Sequence, residues 1–334
     1  MIGDRTIGVA GAGSIGCFVG GMCAAAGRKV ALLARPRVIQ EIEQNGLRLT
    51  SFEGFEQTVA STRLILSEDP TTLFSDVGVV LVTVKSADTA DIADIIAQHV
   101  PPDAVIVSLQ NGVGNVAVLR ARLPGRRVLA GMVPFNVVAP GEGRFRRATS
   151  GDIVIEQDEA RTADRLSVPG LTMRASDNID GVQWGKLLVN LNNALNALAG
   201  VPLRQQLAQR AWRRLFADQM TEGLAAIRAA GIRPVSPTPI PSNWTPALLR
   251  LPDPIFEALL GRTMKIDPQA RSSMAEDLQR GRHTEVDYLQ GVIVEIADRH
   301  ALQAPLSRRI VQLIKSAEAA GRGSPGLTPE QIRP

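Results

Sequence analysis

The chain has 334 residues, 45% of them hydrophobic, with a formal net charge of +4, enough for one large or two moderate domains with sizeable cores. No uninterrupted apolar run approaches membrane-spanning length, and the N-terminus lacks a basic-then-apolar signal pattern, so a membrane protein is not expected. The basic residues are spread along the chain without interleaved aromatics or a nucleic-acid motif, so the charge excess suits an anionic cofactor and substrate rather than DNA or RNA.

The first predicted strand, Thr6 to Ala10, leads straight into Gly11-Ala12-Gly13-Ser14-Ile15-Gly16, and a helix-like segment from Cys17 to Gly27 follows. Strand before and helix after make this G-x-G-x-x-G turn a dinucleotide-binding signal. Gly11 permits the tight turn, Gly13 lets the backbone approach a pyrophosphate, and Gly16 lets the helix pack on the strand. The helix N-terminus supplies unpaired N–H groups and a favourable dipole for the phosphates. Cys17 and Cys23 point to different sides of that helix, so no disulfide is expected between them, and reduced thiols fit a cytoplasmic setting.

The second predicted strand, Lys29 to Ala34, ends in Arg35, with Arg37 nearby. NAD-preferring units usually place an acidic residue here, whereas a guanidinium suits the 2′-phosphate of NADP(H). Leu47–Thr50 and Thr58–Leu66 have β-like character. Val77 to Val84 is a strong central-strand candidate ending at Lys85, and Ala104 to Leu109 is another, ending in Gln110-Asn111-Gly112. Val128 to Val133 continues the pattern, and Gly143 to Glu156 reads as an antiparallel addition. This alternation predicts a mostly parallel, doubly wound α/β sheet of Rossmann type. Ligands of such sheets lie outside the carboxyl ends of the strands, so Lys85 and Asn111 face that crevice. The bland alternatives are a solvated strand-end charge and an ordinary Asn-Gly turn.

The character changes near Ser176, and from Ile179 onward the chain reads as helical. Lysine occurs only at Lys29, Lys85, Lys186, Lys265 and Lys315 in a chain otherwise rich in arginine. A lysine kept within an apolar helix is thus a candidate for proton chemistry, since lysine can lose its proton and arginine in effect cannot. Lys186 sits in Trp184-Gly185-Lys186-Leu187-Leu188-Val189-Asn190-Leu191-Asn192-Asn193 and shares a face with Asn190 and Asn193. This polar stripe either bonds neighbouring backbone in a packed core or lines a substrate pocket. Gly200-Val201-Pro202 stops the run. A second helix spans roughly Arg204 to Ala230, followed by a proline-rich connection from Pro234 to Pro254. Later helices are predicted from Ser273 to Arg280, Thr284 to His300 and Ser307 to Ala320. Thr284 and Asp287 resemble a capping box, and Glu285 could simply complement that helix's N-terminus. Three histidines, His99, His283 and His300, lack metal-ligand spacing, so no metal is expected. The predicted domains are residues 1–175, 176–320, and a mobile tail over 321–334.

Taken together, the glycine loop, Arg35, Lys85, Gln110-Asn111-Gly112, Trp184-Gly185-Lys186-Leu187 with Asn190, Ser272-Ser273-Met274 with Asp277, and His283-Thr284-Glu285-Val286-Asp287 resemble the ketopantoate reductase (2-dehydropantoate 2-reductase) family. The resemblance runs from residue 7 to about 316. It implies an N-terminal NADP-binding domain, an all-α C-terminal substrate domain and a cleft between them. The implied reaction is NADPH-dependent reduction of a 2-keto acid to a 2-hydroxy acid, foremost ketopantoate to pantoate in pantothenate biosynthesis. By the resemblance, Lys186 polarises and protonates the keto oxygen, Asn190 holds the substrate hydroxyl end and Ser273 its carboxylate. Asn111 sits between cofactor and substrate, Lys85 beside the cofactor, and Glu285 orients Lys186, the ribose-nicotinamide end or the substrate. Two features depart from the family pattern: Ala194 stands where many members carry an asparagine, with Asn193 adjacent, and the Pro234–Pro268 region is long. A reductase of another 2-keto acid or ketone, and a non-catalytic NADP-binding sensor, are the alternative readings. The apolar helix faces of the second domain are compatible with a homodimer.

Overall fold

The computed structural model describes residues 5–238, 240–261 and 269–334. The end of the long proline-rich region, residues 262–268, thus lies outside the described residues, as does Lys265. The chain divides into two compact units, one through Asp180 and one from Gly181 onward.

The first unit carries strands β1 (Thr6–Ala10), β2 (Val30–Leu33), β3 (Leu47–Ser51), β4 (Glu56–Val59), β5 (Leu64–Ser67), β6 (Val77–Val82), β7 (Val105–Ser108), β8 (Val128–Met132), β9 (Val137–Gly141), β10 (Arg144–Arg147), β11 (Ile153–Glu156) and β12 (Met173–Ser176). Among the described residues, eight of them form one sheet in the order β12-β11-β8-β7-β6-β1-β2-β5. Pairing is parallel from β5 to β8, β11 runs antiparallel to β8, and β12 runs parallel to β11. Every residue of β1, β6, β7 and β8 is buried. Unbroken runs such as Val77-Gly78-Val79-Val80-Leu81-Val82 suit strands covered on both faces, where alternation would leave polar groups in the core. From β1 the chain builds outward through β2 on one side and through β6, β7 and β8 on the other. The order therefore reverses between β1 and β6, the place where sheets of this type open a ligand crevice.

A second sheet, β4-β3-β10-β9, packs with all four strands onto the helix Ser14–Ala25. β3 alternates buried Leu47 and Leu49 with exposed Arg48, as a one-sided strand should. This sheet corrects two expectations. The Thr58–Leu66 stretch is two strands separated by a short helical turn at Ser61–Arg63, so β4 joins the small sheet and β5 edges the large one. Within Gly143–Glu156, only β11 adds antiparallel to the main sheet, while β10 pairs with β3 and β9.

The second unit is helical. It is built on Ile179–Asn190, Asn192–Ala199, Leu203–Ala208, Arg210–Ala229, Ser273–Gln279, Val292–Arg299 and Pro305–Ala320, with shorter turns between. The predicted helix from Arg204 to Ala230 is two helices, because Gln209 adopts extended backbone (φ −92°, ψ 121°). The predicted helix from Thr284 contains a π-turn at Asp287–Gly291. The tail is not a loose end: the Leu327 N–H donates to the Leu198 carbonyl (2.9 Å), a short helix forms at Pro329–Ile332, and Ile332 is fully buried. Its few apolar side chains find a surface in the unit, which composition alone does not reveal.

Candidate active site

In the first unit, the candidate residues gather on four neighbouring strands. Asn111, Lys85, the glycine loop and Arg35 follow the carboxyl ends of β7, β6, β1 and β2, which are adjacent in that order. Strands lie about 4.8 Å apart, so a dinucleotide laid along this edge would meet all four loops. Gly11 has φ +104°, and a Cβ there would stand 2.6 Å from Val84 Cγ1. A side chain at Gly16 would run into the Gly11 carbonyl oxygen, which already accepts a hydrogen bond from Thr83 Oγ1 at 2.6 Å. Gly13, by contrast, looks onto open space and caps the helix Ser14–Ala25 without a side-chain bond, and no acidic residue stands in that helix's first turn. Packing therefore demands glycine at Gly11 and Gly16 and leaves Gly13 unconstrained by its neighbours. The loop fits a pyrophosphate: room at Gly13 and, at Ser14, Ile15 and Gly16, the opening turn of a helix dipole.

Arg35 is exposed at the start of the helix Pro36–Asn45, and among the described residues no ion pair engages it. Arg37 instead pairs with Glu41 one turn along that helix. The turns bearing Lys85 and Asn111 are braced by a buried polar network. Asn115 Nδ2 donates to the Asn111 carbonyl (2.8 Å) and to Ser86 Oγ (3.2 Å). Thr89 Oγ1 lies 3.0 Å from Asn115 Oδ1 and accepts from Gln110 Nε2 (2.8 Å), whose Oε1 accepts from Ser108 Oγ (3.0 Å). Low local dielectric strengthens such bonds when all are made.

In the second unit, Lys186 and Asn190 stand one turn apart on the helix Ile179–Asn190. Lys186 is half-buried and Asn190 buried. Burial pushes the Lys186 ammonium down from 10.5 to about 8, since removing water disfavours its charged form. A Cβ at Gly185 would strike the Val235 carbonyl oxygen, and Val235 N–H donates to the Gly181 carbonyl (2.8 Å). The glycine preceding the lysine thus lets the start of the proline-rich connection lie directly on this helix. The helix is irregular at Leu191, whose carbonyl accepts from the buried Gln290 Nε2 (2.8 Å). Gln290 belongs to the π-turn just beyond Glu285, which is half-buried. The capping box expected at Thr284–Asp287 does not close. Thr284 Oγ1 accepts from Val286 N–H (3.2 Å), but the Thr284 N–H donates to Glu318 (2.7 Å) and Asp287 pairs with Lys315 (2.8 Å). Ser273 is exposed at the first position of the helix Ser273–Gln279, with Ser272 as its N-cap. The residues after Asn190 hold the other two segments: the Leu191 carbonyl takes the Gln290 bond, and Asn193 and Asn196 take bonds from Ser272.

The description of ketopantoate reductase PanE/ApbA matches residues 7–159, and that of the family's C-terminal domain matches residues 178–318. The chain belongs to this family. The ketopantoate reductases are oxidoreductases, and relatives agree along nearly the whole length. A 2-dehydropantoate 2-reductase of Halobacterium salinarum is 29% identical over 94% of this chain and 99% of its own. The crystal structure of a PanE/ApbA family ketopantoate reductase from Ralstonia eutropha JMP134 superposes with a TM-score of 0.80 at 32% identity, covering 95% of this chain and 99% of that one. D-mandelate dehydrogenase, solved with NADH and anilino(oxo)acetate, shares the fold at 20% identity, with a TM-score of 0.78 over 95% and 99% of the two chains.

Against this family background the asparagines sort into two kinds. The expected stripe crosses a break between helices: Lys186 and Asn190 lie on Ile179–Asn190, whereas Asn193 lies on Asn192–Ala199, partly exposed, beside the fully buried Ala194. Asn192 and Asn196, which the stripe leaves out, are buried and bond Gln206. Their signal in the sequence is an i, i+4 amide pair within a leucine helix. Both cysteines are free and buried, and burial pushes their thiols up to about 12, which makes them poor nucleophiles. Among the described residues, no group of His, Cys, Asp and Glu is placed to hold a metal ion, and no helix is long and apolar enough to cross a membrane.

Proposed function

We propose that the protein is an NADPH-dependent 2-keto acid reductase whose substrate is ketopantoate and whose product is pantoate. The observation that carries this reading is Lys186, a half-buried lysine whose pKa is lowered to about 8, in the family's Trp-Gly-Lys-Leu setting. When bound, NADPH supplies the hydride that reaches the keto carbon. Lys186 holds the keto oxygen by an ammonium hydrogen bond and gives it the proton, so the ketone gains one hydride and one proton and becomes the alcohol. An ammonium aimed at the developing alkoxide stabilises charge where it forms, and a pKa near ambient pH suits proton release. Gly11, Ala12, Gly13, Ser14, Ile15 and Gly16 cradle the pyrophosphate, and Arg35 takes the 2′-phosphate. Lys85 stands beside the cofactor and Asn111 at its nicotinamide end. Asn190 accepts the substrate's hydroxyl end, Ser273 its carboxylate, and Glu285 orients the ammonium or the substrate. Free thiols fit a cytoplasmic enzyme, and a homodimer is the assembly we expect.

The test is initial-rate oxidation of NADPH and of NADH with a panel of 2-keto acids. Ketopantoate with NADPH should give the highest kcat/KM. One observation favours a second reading: at Ala194 a buried methyl stands where many members carry an amide. A larger kcat/KM for another 2-keto acid would replace ketopantoate and keep the chemistry, whereas no turnover with any of them would leave a binding protein.

A further inference from the structure

We infer that Ser272 and Asn196 are positioning residues that set the Ser273 hydroxyl in place for the substrate carboxylate. The inference rests on the role proposed above for Ser273. Ser273 is exposed, whereas its neighbour Ser272 is buried, at 1% exposure. Ser272 has one hydroxyl hydrogen, and it is spent: Oγ donates to the Asn193 carbonyl (2.8 Å) and accepts from the Ala275 N–H (3.1 Å). Its own N–H donates to Asn196 Oδ1 (2.9 Å). Ser272 therefore reaches a ligand only through the residue that follows it.

Asn196 is fully buried and is itself locked. Its Nδ2 donates to Gln206 Oε1 and to the Val201 carbonyl, both at 3.0 Å. Gln206 in turn donates to Asn192 Oδ1 (3.3 Å). Two further bonds hold the residues just before the pair. The Ala270 carbonyl accepts from Leu203 N–H (2.8 Å), and Arg271 donates to the Gly200 carbonyl (2.7 Å). The backbone that delivers Ser273 is thus clasped onto residues 193–203, the direct continuation of the helix bearing Lys186 and Asn190.

The chemistry gives this clasp a purpose. In a 2-keto acid the carboxylate is bonded to the reacting carbonyl carbon. A hydroxyl that fixes the carboxylate relative to the Lys186 helix also fixes the keto oxygen relative to the ammonium. Small misplacements of such a contact are costly, since rate and binding depend on geometry within an ångström.

The experiment measures KM for ketopantoate at saturating NADPH, and NADPH Kd by fluorescence titration, on Ser272→Ala, Ser272→Thr and Ser273→Ala. Ser272→Ala should raise the ketopantoate KM about tenfold to a hundredfold and leave NADPH Kd at the parental value. Ser272→Thr keeps both hydroxyl bonds and should restore KM, a split that general destabilisation would not produce. If Ser272→Ala does not yield folded protein, Gln206→Met loosens Asn196 one link away and should raise KM in the same direction. A parental KM in Ser272→Ala, or in Gln206→Met where that variant replaces it, overturns the positioning role when Ser273→Ala raises KM. A Thr variant as impaired as Ala also overturns it. A parental KM in Ser273→Ala removes the role of Ser273 itself, and the clasp's function with it.

Discussion

An ammonium set among leucines loses hydration, and in Lys186 this brings the pKa from 10.5 to about 8. The sign matters for both stability and rate. A lysine whose folded pKa is depressed binds its proton less well folded than unfolded, so its burial costs stability most fully below pH 8. That cost is relieved as pH rises from 8 towards 10.5, where the unfolded chain still holds the proton. The rate runs the other way. On the proposed mechanism Lys186 is the proton donor, present below pH 8 and lost above it, so kcat/KM for reduction should fall about tenfold per pH unit beyond that point. Lys186→Arg keeps the charge but releases no proton near neutral pH. It should lower turnover by about 10²–10⁴-fold and abolish the inflection near 8, with NADPH Kd little changed. A variant with parental turnover and the same inflection would assign the titration to another group. Arg35 answers a separate question. Arg35→Asp should weaken NADPH binding by about ten- to a hundredfold, as loss of one charge-assisted phosphate contact does, and narrow the preference over NADH. Equal NADPH/NADH ratios of kcat/KM in parent and variant would mean that Arg35 does not read the 2′-phosphate.

At the level of elements, what the sequence reveals depends on whether a pattern is local. The strands β1, β6, β7 and β8 were legible because strands covered on both faces need uninterrupted apolar runs, and the glycine loop because the positive-φ turn at Gly11 and the close helix–strand packing at Gly16 demand glycine at fixed positions. The position of Lys85 and Asn111 just past β6 and β7 followed from the ends of those same runs. Pairing partners are another matter. Nothing local in Thr58–Leu66 says that its two halves enter different sheets; that is decided by Leu47 and Leu49 across the helix Ser14–Ala25. Nor does periodicity distinguish the asparagines that face a site from those that close a core. Asn190 and Asn192 are both buried, yet only the second has its place explained by Gln206, a residue from another helix. The π-turn at Asp287–Gly291 also escapes a helical-period reading, because one added residue per turn changes which side chains share a face. The roles proposed for Lys186, Ser273 and Glu285 come from the family resemblance, and the fold supplies the bonds that fasten their segments: those of Gln290 and Ser272 to the carbonyls of Leu191 and Asn193.

Across the whole molecule, many arginines are committed to ion pairs, which explains why a net charge of +4 need not produce a basic face. In the first unit Arg5 pairs with Asp103, Arg122 with Asp94 and Arg120 with Glu156. In the second, Asp218 accepts from both Arg250 and Arg333, each at 2.8 Å. Exposed pairs of this kind add little stability singly, but Arg333 lies in the C-terminal tail, and its pair marks where the tail docks. The apolar contribution is larger. Ile332 is fully buried on the short helix Pro329–Ile332, whose start is closed by a capping box between Thr328 and Gln331. Leu327 N–H meets a carbonyl near the end of the helix Asn192–Ala199, a group that otherwise lacks an intrahelical partner. Ile332→Ala should therefore destabilise the second unit by about 2 kcal/mol, the low end for a buried isoleucine because a terminal segment can partly settle into the space left. Ending the chain at Gly321 should cost more, since it removes the capped helix, the backbone bond and the Arg333 pair together. Urea unfolding of the two variants gives the midpoints, and hydrogen exchange of the Leu327 amide reports the docked tail in the parent. A parental midpoint in Ile332→Ala, together with a Leu327 amide that exchanges like an unprotected peptide in the parent, would return the tail to the loose segment its composition suggests.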